Sequence, residues 1–548
     1  MTTARRIVLL GIDGANPILM RQWARDGTLP NLASLLARGL SGPTENLPGF
    51  FIGSTWPSFY TGTSPARHGF HYQVQLRPGT YDLYRPEKDR LVKIPAFWHY
   101  LSQAGRRTAI LDVPLTQLES QINGVQTVEW GGHDAVYGFQ AAPPELAIAI
   151  RTRFGDHPLG STCDGVRKSV ADYQRFTARL VRGVQKKAEL TRYLLGKERW
   201  DFFAQVFTET HCVGHQCWHL HDEHHPAHDP GLAAKMTDPI RTVYAAVDQA
   251  IGEIVRESGD ALIVVLSTHG MSSFYGAQFL LREILVKLGV TQSLQQQASS
   301  TANESKLASV ARALWHLLPP IARARLAPLR DLLARPDAAP ESESSLGIDP
   351  ARSLCFPLSN GLGVGGIRLN LAGREPNGTI RPGDEAAAFM AQLSADLLEI
   401  VDERTGGRLV RRVLRTRDLY DGPHLDALPD LLVEWNDEVA TGSSCVAGGE
   451  GALVTAHSAK IGRVEHENAY GRTGEHRPEG IFIAAGPNVS PGEMTRPVSI
   501  LDFAPTFCEL LGVAFPISDG TPIPELVGQQ PAATTPGSAS RDPRTALR

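Results

Sequence analysis

Histidines are concentrated in one short stretch, Phe207–Asp229, which reads FTETHCVGHQCWHLHDEHHPAHD and holds seven of the chain's 18 histidines. His211, His215 and His219 are spaced four residues apart. On a helix this spacing stacks the imidazole rings on one face, where two of them can bind the same metal ion. The stretch is therefore a candidate metal site, and the alternative is a histidine-rich surface.

Reactive side chains also occur in other segments, each next to an expected strand end or helix start. Asp13 follows the apolar run RIVLLGI, His269 closely follows ALIVVLS, and His476 precedes GIFIAAG. Ser54 or Thr55 stands shortly before a proline, where a hydroxyl at a helix start meets the positive end of the helix dipole. That position favours an alkoxide and a bound phosphate. Each residue alone also has a structural explanation, such as a helix cap or a turn, so only the combination indicates chemistry.

Short apolar runs indicate the strands that would position these residues. The run Arg6–Ile12 ends at Asp13, so we expect a parallel strand that is buried on both faces and carries a ligand at its carboxyl end. Similar runs occur at Thr108–Val113, Asp201–Phe207, Ala261–Ser267, Asp430–Trp435 and Gly480–Gly486. Helix-like segments between the runs include Ile94–Ala104, Ser169–Lys197, Pro239–Ser258 and Asp384–Val401. This alternation predicts a doubly wound α/β fold with a mostly parallel sheet.

Two segments interrupt the alternation. Residues 293–345 contain an amphipathic piece between polar flanks, which predicts a helical insertion or lid, with an interfacial membrane helix as the alternative. From residue 527 the chain is rich in Gly, Pro, Ala, Ser and Thr without periodicity, which predicts a disordered tail over 527–548. Residues 1–292 and 346–526 are then expected to form a single catalytic α/β domain.

The composition of the 548-residue chain argues against several classes of protein. A hydrophobic fraction of 42% and a charged fraction of 20% are typical of a soluble globular protein, and a net charge of -4 gives no indication of a nucleic acid partner. No apolar segment reaches the length of a membrane span, and the N-terminal apolar run is too short for a signal peptide. The six cysteines have no framework spacing, which favours reduced thiols and a cytoplasmic location.

Five motifs follow one another along the chain: GIDGAN, STWPSFYTGTSPARHG, THCVGHQCWH, STHGM and TGEHRPEGIFIAAGP. Their order resembles that of the alkaline phosphatase superfamily, and most closely its nucleotide pyrophosphatase/phosphodiesterase branch. The resemblance covers nearly the whole chain apart from the expected lid and tail. It implies an alkaline phosphatase-like α/β/α sandwich, in agreement with the alternation of strands and helices.

The resemblance also implies roles for individual residues. Thr55 takes the position of the nucleophile, whose alkoxide attacks phosphorus in line and forms a covalent phospho-threonine that water then hydrolyses. One metal ion would be held by Asp13, Thr55 and His269. The other would be held by His215, His476 and the residue four positions before His215.

The sequence departs from the family pattern at two of these ligand positions. His211 stands where the family has aspartate, and Thr268 replaces the aspartate that precedes His269. Two anionic ligands have become neutral, so Asp13 is left as the remaining carboxylate against the charge of the metals. His211 and the two other histidines of its site still form a three-imidazole set suited to Zn²⁺. We therefore expect one firmly bound Zn²⁺ and a second divalent metal that is weak, substrate-dependent or absent.

The expected function is a metal-dependent hydrolase that cleaves a phosphodiester or phosphoanhydride in a small phosphorylated substrate. Gln73 takes the position of a family asparagine that contacts a phosphoryl oxygen, and its amide can still donate a hydrogen bond. A sulfatase is disfavoured because the segment at Thr55 lacks the residue pattern that those enzymes convert into their nucleophile. Two alternatives stay open: a phosphoryl or related group transferase with an altered histidine-rich metal site, and a non-catalytic member that binds a phosphorylated ligand.

The rest of the histidine run, from His219 to His228, alternates with acidic residues. We expect it to form a solvated loop near the mouth of the site, with substrate contacts or a further metal as alternatives. The identity of the substrate and the oligomeric state are left open by the sequence.

Overall fold

The structure is a computed structural model, and it describes residues 6–86, 91–131, 137–160, 162–165, 167, 169–294, 346–438, 440–441, 453–468 and 470–528. Nearly all of the predicted lid and most of the predicted tail lie outside these residues. Within the described part of the chain, no helix combines the length and the apolar character needed to cross a membrane.

The strands follow the predicted apolar runs closely. In chain order, the described strands are β1 Ile7–Ile12, β2 Leu40–Glu45, β3 Gln75–Leu76, β4 Leu83–Tyr84, β5 Thr108–Leu111, β6 Gly124–Val128, β7 Gln140–Ala142, β8 Phe202–Phe207, β9 Leu262–Ser267, β10 Gly270–Ser273, β11 Cys355–Leu358, β12 Val364–Leu369, β13 Val401–Asp402, β14 Val410–Arg415, β15 Leu431–Trp435, β16 Leu453–Ser458, β17 Gly462–Glu467, β18 Gly474–Arg477, β19 Glu479–Ala485, β20 Gly492–Glu493 and β21 Val498–Ser499. Each of the six predicted runs contains one strand, and these are β1, β5, β8, β9, β15 and β19.

The helices likewise include all four that the sequence predicts. The described α-helices are α1 Pro17–Arg25, α2 Pro30–Arg38, α3 Thr55–Thr61, α4 Pro65–His68, α5 Phe97–Gln103, α6 Pro144–Phe154, α7 Val170–Leu195, α8 Glu209–His221, α9 Pro230–Ala233, α10 Pro239–Glu257, α11 Gln278–Lys287, α12 Asp384–Leu398, α13 Thr416–Leu419, α14 Phe503–Leu510 and α15 Pro524–Val527. The predicted four are α5, α7, α10 and α12. The two longest begin at side chains that satisfy the first N–H groups: Ser169 forms a capping box with Asp172 at α7, and Asp238 caps α10.

The central sheet contains ten strands within the described residues, in the order β20-β2-β19-β9-β1-β8-β5-β6-β7, with β21 also paired to β2. The middle strands β9, β1, β8, β5 and β6 are parallel to one another. β19 runs antiparallel between β2 and β9, and β7 is antiparallel to β6. The predicted mostly parallel sheet is confirmed.

Helices cover both faces of this sheet. Along β1, Ile7 and Leu9 point to a core that includes α3, α5 and α14. Val8 and Leu10 point to the opposite core, which includes α7, α8 and α10. Because both faces are covered, the strands are continuous apolar runs and not alternating ones. The fold is the predicted α/β/α sandwich.

One predicted strand lies outside the central sheet. β15, within the run Asp430–Trp435, belongs to an antiparallel sheet of order β11-β12-β15-β14 that packs with α11 and α12 around a separate core. Its expected place in the main alternation was therefore wrong. A short apolar run predicts burial on both faces, but it does not specify which strands will be its neighbours.

Several segments of the site end at the same edge of the central sheet. β1, β8 and β9 are parallel neighbours, so Asp13, the start of α8 and His269 emerge together at the edge where open α/β sheets bind ligands. Because β19 is antiparallel to both β9 and β2, it begins at this edge and β2 ends there. His476 just before β19 and Asn46 just after β2 are thereby brought to the same place.

Candidate functional site

Helix α8 presents His211 and His215 at the carboxyl edge of the sheet. The Thr210 hydroxyl at the start of the helix donates to the Asp13 carbonyl oxygen at 2.6 Å, so α8 and the end of β1 are joined directly. His215 Nε2 lies 3.2 Å from His211 Nε2, and the ring centroids are 4.3 Å apart. The four-residue spacing thus brings both rings to one face of the helix.

A buried ion network holds the first turn of α8. The fully buried Glu209 carboxylate is 2.9 Å from His157 Nε2 and 3.5 Å from Lys187 Nζ. Lys187 Nζ also donates to the Thr208 hydroxyl and to a main-chain carbonyl of β8, both at 3.1 Å. Buried charges are costly unless they are paired and hydrogen-bonded. The network therefore favours one orientation of the turn that leads to His211.

His476 reaches the same point from β18, and its Nε2 is 2.7 Å from His211 Nε2. β18 approaches α8 closely because the facing residues are glycines: a Cβ on Gly474 would lie 2.2 Å from the carbonyl oxygen of Gly214. At this separation His215 Nδ1 lies 2.7 Å from the Gly474 carbonyl oxygen. The close approach of helix and strand therefore gathers the three imidazoles.

The Gly474 carbonyl also decides the tautomer of His215. A carbonyl oxygen only accepts hydrogen bonds, so His215 Nδ1 carries the proton and its Nε2 presents a lone pair to the cluster. A Zn²⁺ ion with Zn–N distances of about 2.0–2.1 Å separates its ligand nitrogens by roughly 3.3 Å. The observed Nε2–Nε2 distances of 2.7 and 3.2 Å are near that separation. The donor atoms and their spacing fit a divalent metal.

His269 joins this cluster from the end of β9. The donor atoms of His211, His269 and His476 lie within 4.8 Å of one another, and all three rings are buried. His269 Nε2 is also 3.8 Å from Asp13 Oδ1. The two metal sites implied by the sequence are thus not separate in space, because His269 stands between the Asp13 carboxylate and the other histidines.

Thr55 is the first residue of α3 and is fully buried. Its Oγ1 accepts a hydrogen bond from Asn46 Nδ2 at 3.1 Å, and the same amide nitrogen donates to the Thr268 carbonyl oxygen at 3.2 Å. The Ser54 side chain does not cap the helix but donates to the Phe50 carbonyl oxygen. Helix capping, the structural explanation for these two hydroxyls, therefore does not apply.

Asn46 is a site residue that the sequence analysis missed. Its Oδ1 accepts from the Leu47 N–H at 2.8 Å, which determines the orientation of the amide and directs Nδ2 to Thr55. In the sequence Asn46 stands in TENLPGF, a loop without a recognisable motif. Only the pairing of β2 beside β19 reveals its position.

Asp13 and Thr268 both act on neighbouring side chains of the site. Asp13 is buried, and its Oδ1 accepts from Trp56 Nε1 at 2.8 Å. The Thr268 hydroxyl lies 3.1 Å from His269 Nδ1. Thr268 therefore contacts one nitrogen of the His269 ring, Nδ1, whereas the other nitrogen, Nε2, faces Asp13.

A cavity of about 310 Å³ opens onto the cluster. Five of the seven predicted site residues line it: Asp13, Gln73, His211, His269 and His476. Thr55 and His215 are fully buried and are not among its lining residues, although Gly53 and Trp56 on either side of Thr55 are. In the chain, Thr55 thus lies between two residues that line the cavity but does not line it itself.

Two further charged groups line the cavity and were not predicted. Arg472 Nη2 lies 2.8 Å from Asp164 Oδ2, and its Nη1 lies 3.3 Å from His215 Nε2. Both residues belong to loops, and their spacing in the sequence carries no signal. The ion pair places one guanidinium within hydrogen-bond reach of the histidine cluster.

Glu475 is a second buried carboxylate at the cavity. Its Oε1 accepts the main-chain N–H of His476 at 2.8 Å. Burial raises the pKa of the Glu475 carboxyl to about 7, while this N–H and the charges of Arg472 and Arg477 act in the opposite direction. The sequence analysis counted Asp13 as the remaining carboxylate of the site, and it therefore missed Glu475.

The rest of the histidine run is buried only in part: His219 and His225 are buried, His221 and His228 are half-buried, and His224 is exposed. The predicted solvated loop was therefore wrong for the two buried histidines. The fully buried His219 lies 3.1 Å from the Tyr173 hydroxyl through Nε2 and 3.1 Å from Thr473 Oγ1 through Nδ1. His225 Nε2 is 2.9 Å from the Thr473 carbonyl oxygen, and His228 Nδ1 is 2.7 Å from the His219 carbonyl oxygen. Polar composition predicts solvent exposure, but in this run segments distant in sequence supply partners to the ring nitrogens.

This burial predicts that acid destabilises the protein through His219. Burial and the charges of His225 and His228 lower the pKa of His219 to about 3, below its ordinary value of 6.5. The unfolded chain therefore binds the extra proton first, and the free energy of unfolding falls as the pH drops from 6.5 towards 3. His219→Gln is expected to reduce that slope by up to about 1.4 kcal/mol per pH unit.

Urea unfolding of wild type and variant at several pH values across this range measures the slope. His466→Gln is the matched control, because His466 is exposed. Equal slopes for wild type and His219→Gln would contradict the assignment of a neutral buried imidazole.

Comparisons with known proteins identify the family. The model of the family described as type I phosphodiesterase / nucleotide pyrophosphatase matches residues 7–331. A search of curated proteins gives no match. Phosphonoacetate hydrolase from Sinorhizobium meliloti 1021, solved with phosphonoformate, is 15% identical with a TM-score of 0.48, and the alignment covers 93% of this chain and 96% of that chain. Murine ectonucleotide pyrophosphatase / phosphodiesterase 5 is 10% identical with a TM-score of 0.44, over 94% of this chain and 98% of that chain.

The family match spans more than half of the chain. It includes Asp13, Thr55, His211, His215 and His269, whereas His476 lies beyond it. The predicted family and the predicted class of enzyme, a hydrolase of phosphoesters, are confirmed. The chain belongs to the type I phosphodiesterase / nucleotide pyrophosphatase family.

Proposed function

We propose that this enzyme is a metal-dependent hydrolase that cleaves a phosphodiester or phosphoanhydride through a covalent phospho-threonine at Thr55. The observation that carries the proposal is the gathering of a buried hydroxyl, the Asp13 carboxylate and four histidines at the carboxyl edge of one sheet. A positioned nucleophile and a site for a divalent cation are the two requirements of this chemistry.

The surroundings of Thr55 support its role as the nucleophile. The Asn46 N–H that donates to Oγ1 stabilises negative charge on this oxygen, since hydrogen bonds to charged acceptors are the stronger ones. In the first step the bond between Thr55 Oγ1 and phosphorus forms while the bond from phosphorus to the leaving oxygen breaks, and the proton of the Thr55 hydroxyl passes to solvent. In the second step water displaces Thr55 from phosphorus, and the threonine hydroxyl is restored.

The histidine cluster supports a role for Zn²⁺. His211, His215 and His476 would hold the ion, because their Nε2 atoms converge and the His215 lone pair points to the others. When bound, the ion supplies positive charge that stabilises the phosphoryl oxygens as a Lewis acid. Asp13 and His269 remain as donors for a second divalent metal, which we propose to bind weakly because no aspartate completes its site at position 268.

Gln73 is proposed to contact the phosphoryl group. It lines the cavity together with Asp13 and His269. Its amide N–H groups can donate to a phosphoryl oxygen, which carries part of the negative charge during transfer.

A second cavity of about 500 Å³ continues from the first. The two share the lining residues Tyr72, Gln73, Leu362 and Tyr470. Its other lining residues combine apolar side chains with Arg85 and Arg282, and no Asp or Glu is among the described residues that line it. We propose that it takes the part of a small phosphorylated substrate beyond the scissile bond, and that this part carries apolar surface and negative charge.

Leu362→Trp is expected to separate large from small substrates, because Leu362 lies where the two cavities meet. The bulky ring would narrow the passage, so kcat/KM for a nucleotide-sized diester should fall roughly 10-fold or more. For the small ester methyl para-nitrophenyl phosphate, kcat/KM of the variant should stay near the wild-type kcat/KM. Steady-state kinetics on both substrates measures the difference.

Leu354→Trp is the control, since Leu354 is an exposed leucine that lines neither cavity. If Leu362→Trp lowers kcat/KM equally for both substrates, the second cavity does not hold the leaving group.

The release of para-nitrophenolate from bis(para-nitrophenyl) phosphate by the purified full chain tests the proposed function. The protein is first dialysed against a chelator and then assayed with and without added Zn²⁺. Metal-dependent release supports a hydrolase, and release that needs an added alcohol acceptor would indicate a transferase. A protein that binds Zn²⁺ and the ester but releases nothing would be a binding protein.

A cytoplasmic location is proposed on the basis of the cysteines. The five described cysteines are all buried, and their scattered positions suit reduced, packed thiols. The proposed ligand is a small phosphorylated molecule, because both cavities together are of the size that such a molecule fills.

A further inference from the structure

Glu475 immediately precedes His476 on β18, and it is among the residues that line the cavity of the site. The side chain is 1% exposed. β18 pairs with β10, where Glu475 lies opposite Ser272 and His476 opposite Met271. The register of this ribbon therefore fixes the carboxylate beside a proposed metal ligand.

The two carboxylate oxygens have different surroundings. Oε1 accepts the His476 N–H at 2.8 Å and lies 3.5 Å from His476 Nδ1. Oε2 is buried and has no hydrogen-bond partner among the described residues. A buried carboxylate with one such oxygen lowers the stability of the fold, because that oxygen has lost its hydrogen bonds to water and gains none from the described residues.

The nearby arginines offset this cost only in part, because each forms an ion pair with another carboxylate. Arg472 pairs with Asp164 at 2.8 Å, and Arg477 pairs with Asp437 at 2.9 Å. The Glu475 carboxylate can therefore still stabilise a further cation beside it. The ring of His476 lies directly between this carboxylate and His211, since Nδ1 faces Glu475 and Nε2 faces His211.

We propose that Glu475 is a positioning residue for the metal site, which acts through His476. Its carboxylate orients the His476 ring, keeps the proton on Nδ1 and makes Nε2 a stronger donor. It also supplies negative charge next to a proposed metal ligand. This charge partly replaces that of the two family aspartates, whose positions are taken here by His211 and Thr268. The inference rests on the metal site of the proposed function, but it does not depend on which substrate is cleaved.

Glu475→Gln tests the proposal in the full-length protein, because glutamine keeps an oxygen that accepts the His476 N–H and removes only the charge. Zn²⁺ affinity, measured by competition with a chromophoric chelator, is expected to fall roughly 10- to 100-fold. The matched control is Glu479→Gln, which removes an exposed carboxylate four residues further along the chain and should leave the affinity unchanged.

Thermal unfolding separates this role from a merely structural one. Without metal, Glu475→Gln should unfold at the same temperature as wild type or higher, because the variant no longer buries an uncompensated charge. With saturating Zn²⁺, its gain in unfolding temperature should be smaller than that of wild type. A variant that loses stability without metal yet keeps wild-type Zn²⁺ affinity would overturn the proposal.

The failure of the proposed function would look different. If wild type binds Zn²⁺ and Glu475→Gln binds it more weakly, but neither hydrolyses an ester, then the positioning role stands and the hydrolase proposal fails. If both proteins bind Zn²⁺ equally well, the positioning role is wrong whatever the activity.

Discussion

Thr55→Ala is expected to lower kcat for phosphodiester hydrolysis by about 10⁴-fold or more, because the oxygen that forms the covalent bond to phosphorus is removed. The protein should stay folded, since the lost hydroxyl leaves only one hydrogen bond from Asn46 unmade, at a cost of about 1–3 kcal/mol. Initial rates of para-nitrophenolate release measure kcat, and circular dichroism confirms the fold.

Two controls make this result specific. Thr55→Ser keeps the hydroxyl and should retain most of the activity, whereas Ser54→Ala removes a hydroxyl that donates to the Phe50 carbonyl oxygen and should change kcat little. Acid quenching during turnover should trap phosphate on the wild-type peptide that contains Thr55 and none on the alanine variant. A Thr55→Ala protein with wild-type kcat would show that another group attacks phosphorus.

Removal of the divalent metal is expected to lower turnover by about 10³-fold or more, because the ion contributes several kcal/mol of charge stabilisation. One equivalent of Zn²⁺ per chain should restore most of the activity, since the three converging imidazoles are proposed to form one firm site. Elemental analysis beside the rate measurement gives the stoichiometry. Full restoration only at two equivalents would contradict a single firm site.

The double variant His211→Asp with Thr268→Asp is expected to hold two divalent ions per chain. Both carboxylates would return at the positions where the family has them, and their charge would offset the repulsion between two cations. The single variants His211→Asp and Thr268→Asp are the controls, because each adds one negative charge to the site. If the double variant still binds one ion, the two substitutions are not the reason for the stoichiometry.

The main elements of the site were predictable because they are locally encoded. β1, β8 and β9 are continuous apolar runs, and each is followed at once by a residue of the site or by the helix that carries one. The four-residue spacing of His211 and His215 likewise requires only a helix. By contrast, β15 has the same apolar character as β1 but belongs to another sheet, because an apolar run does not specify its partners.

The electrostatic details of the site were not predictable in this way. Arg472 lies just before the last motif and Glu475 lies within it, but neither was assigned a role, and both matter because β18 packs against α8. His219 has the composition of a surface residue, yet Tyr173 and Thr473 bury it and bond to its ring. The burial and the hydrogen bonds of each of these side chains depend on residues from segments that are distant in the sequence.

Residue types and local spacings were sufficient to predict the fold class and to reveal the resemblance to the family, because the motifs are read from adjacent positions in the chain. The resemblance in turn implied the candidate nucleophile and the two replaced aspartates. The packing of distant segments was needed for the rest. It places His269 with His211 and His476, brings Asn46 into contact with Thr55 and puts Glu475 beside a proposed metal ligand. These contacts follow from which strands are neighbours in the sheet, and hydrophobic patterns do not encode that order.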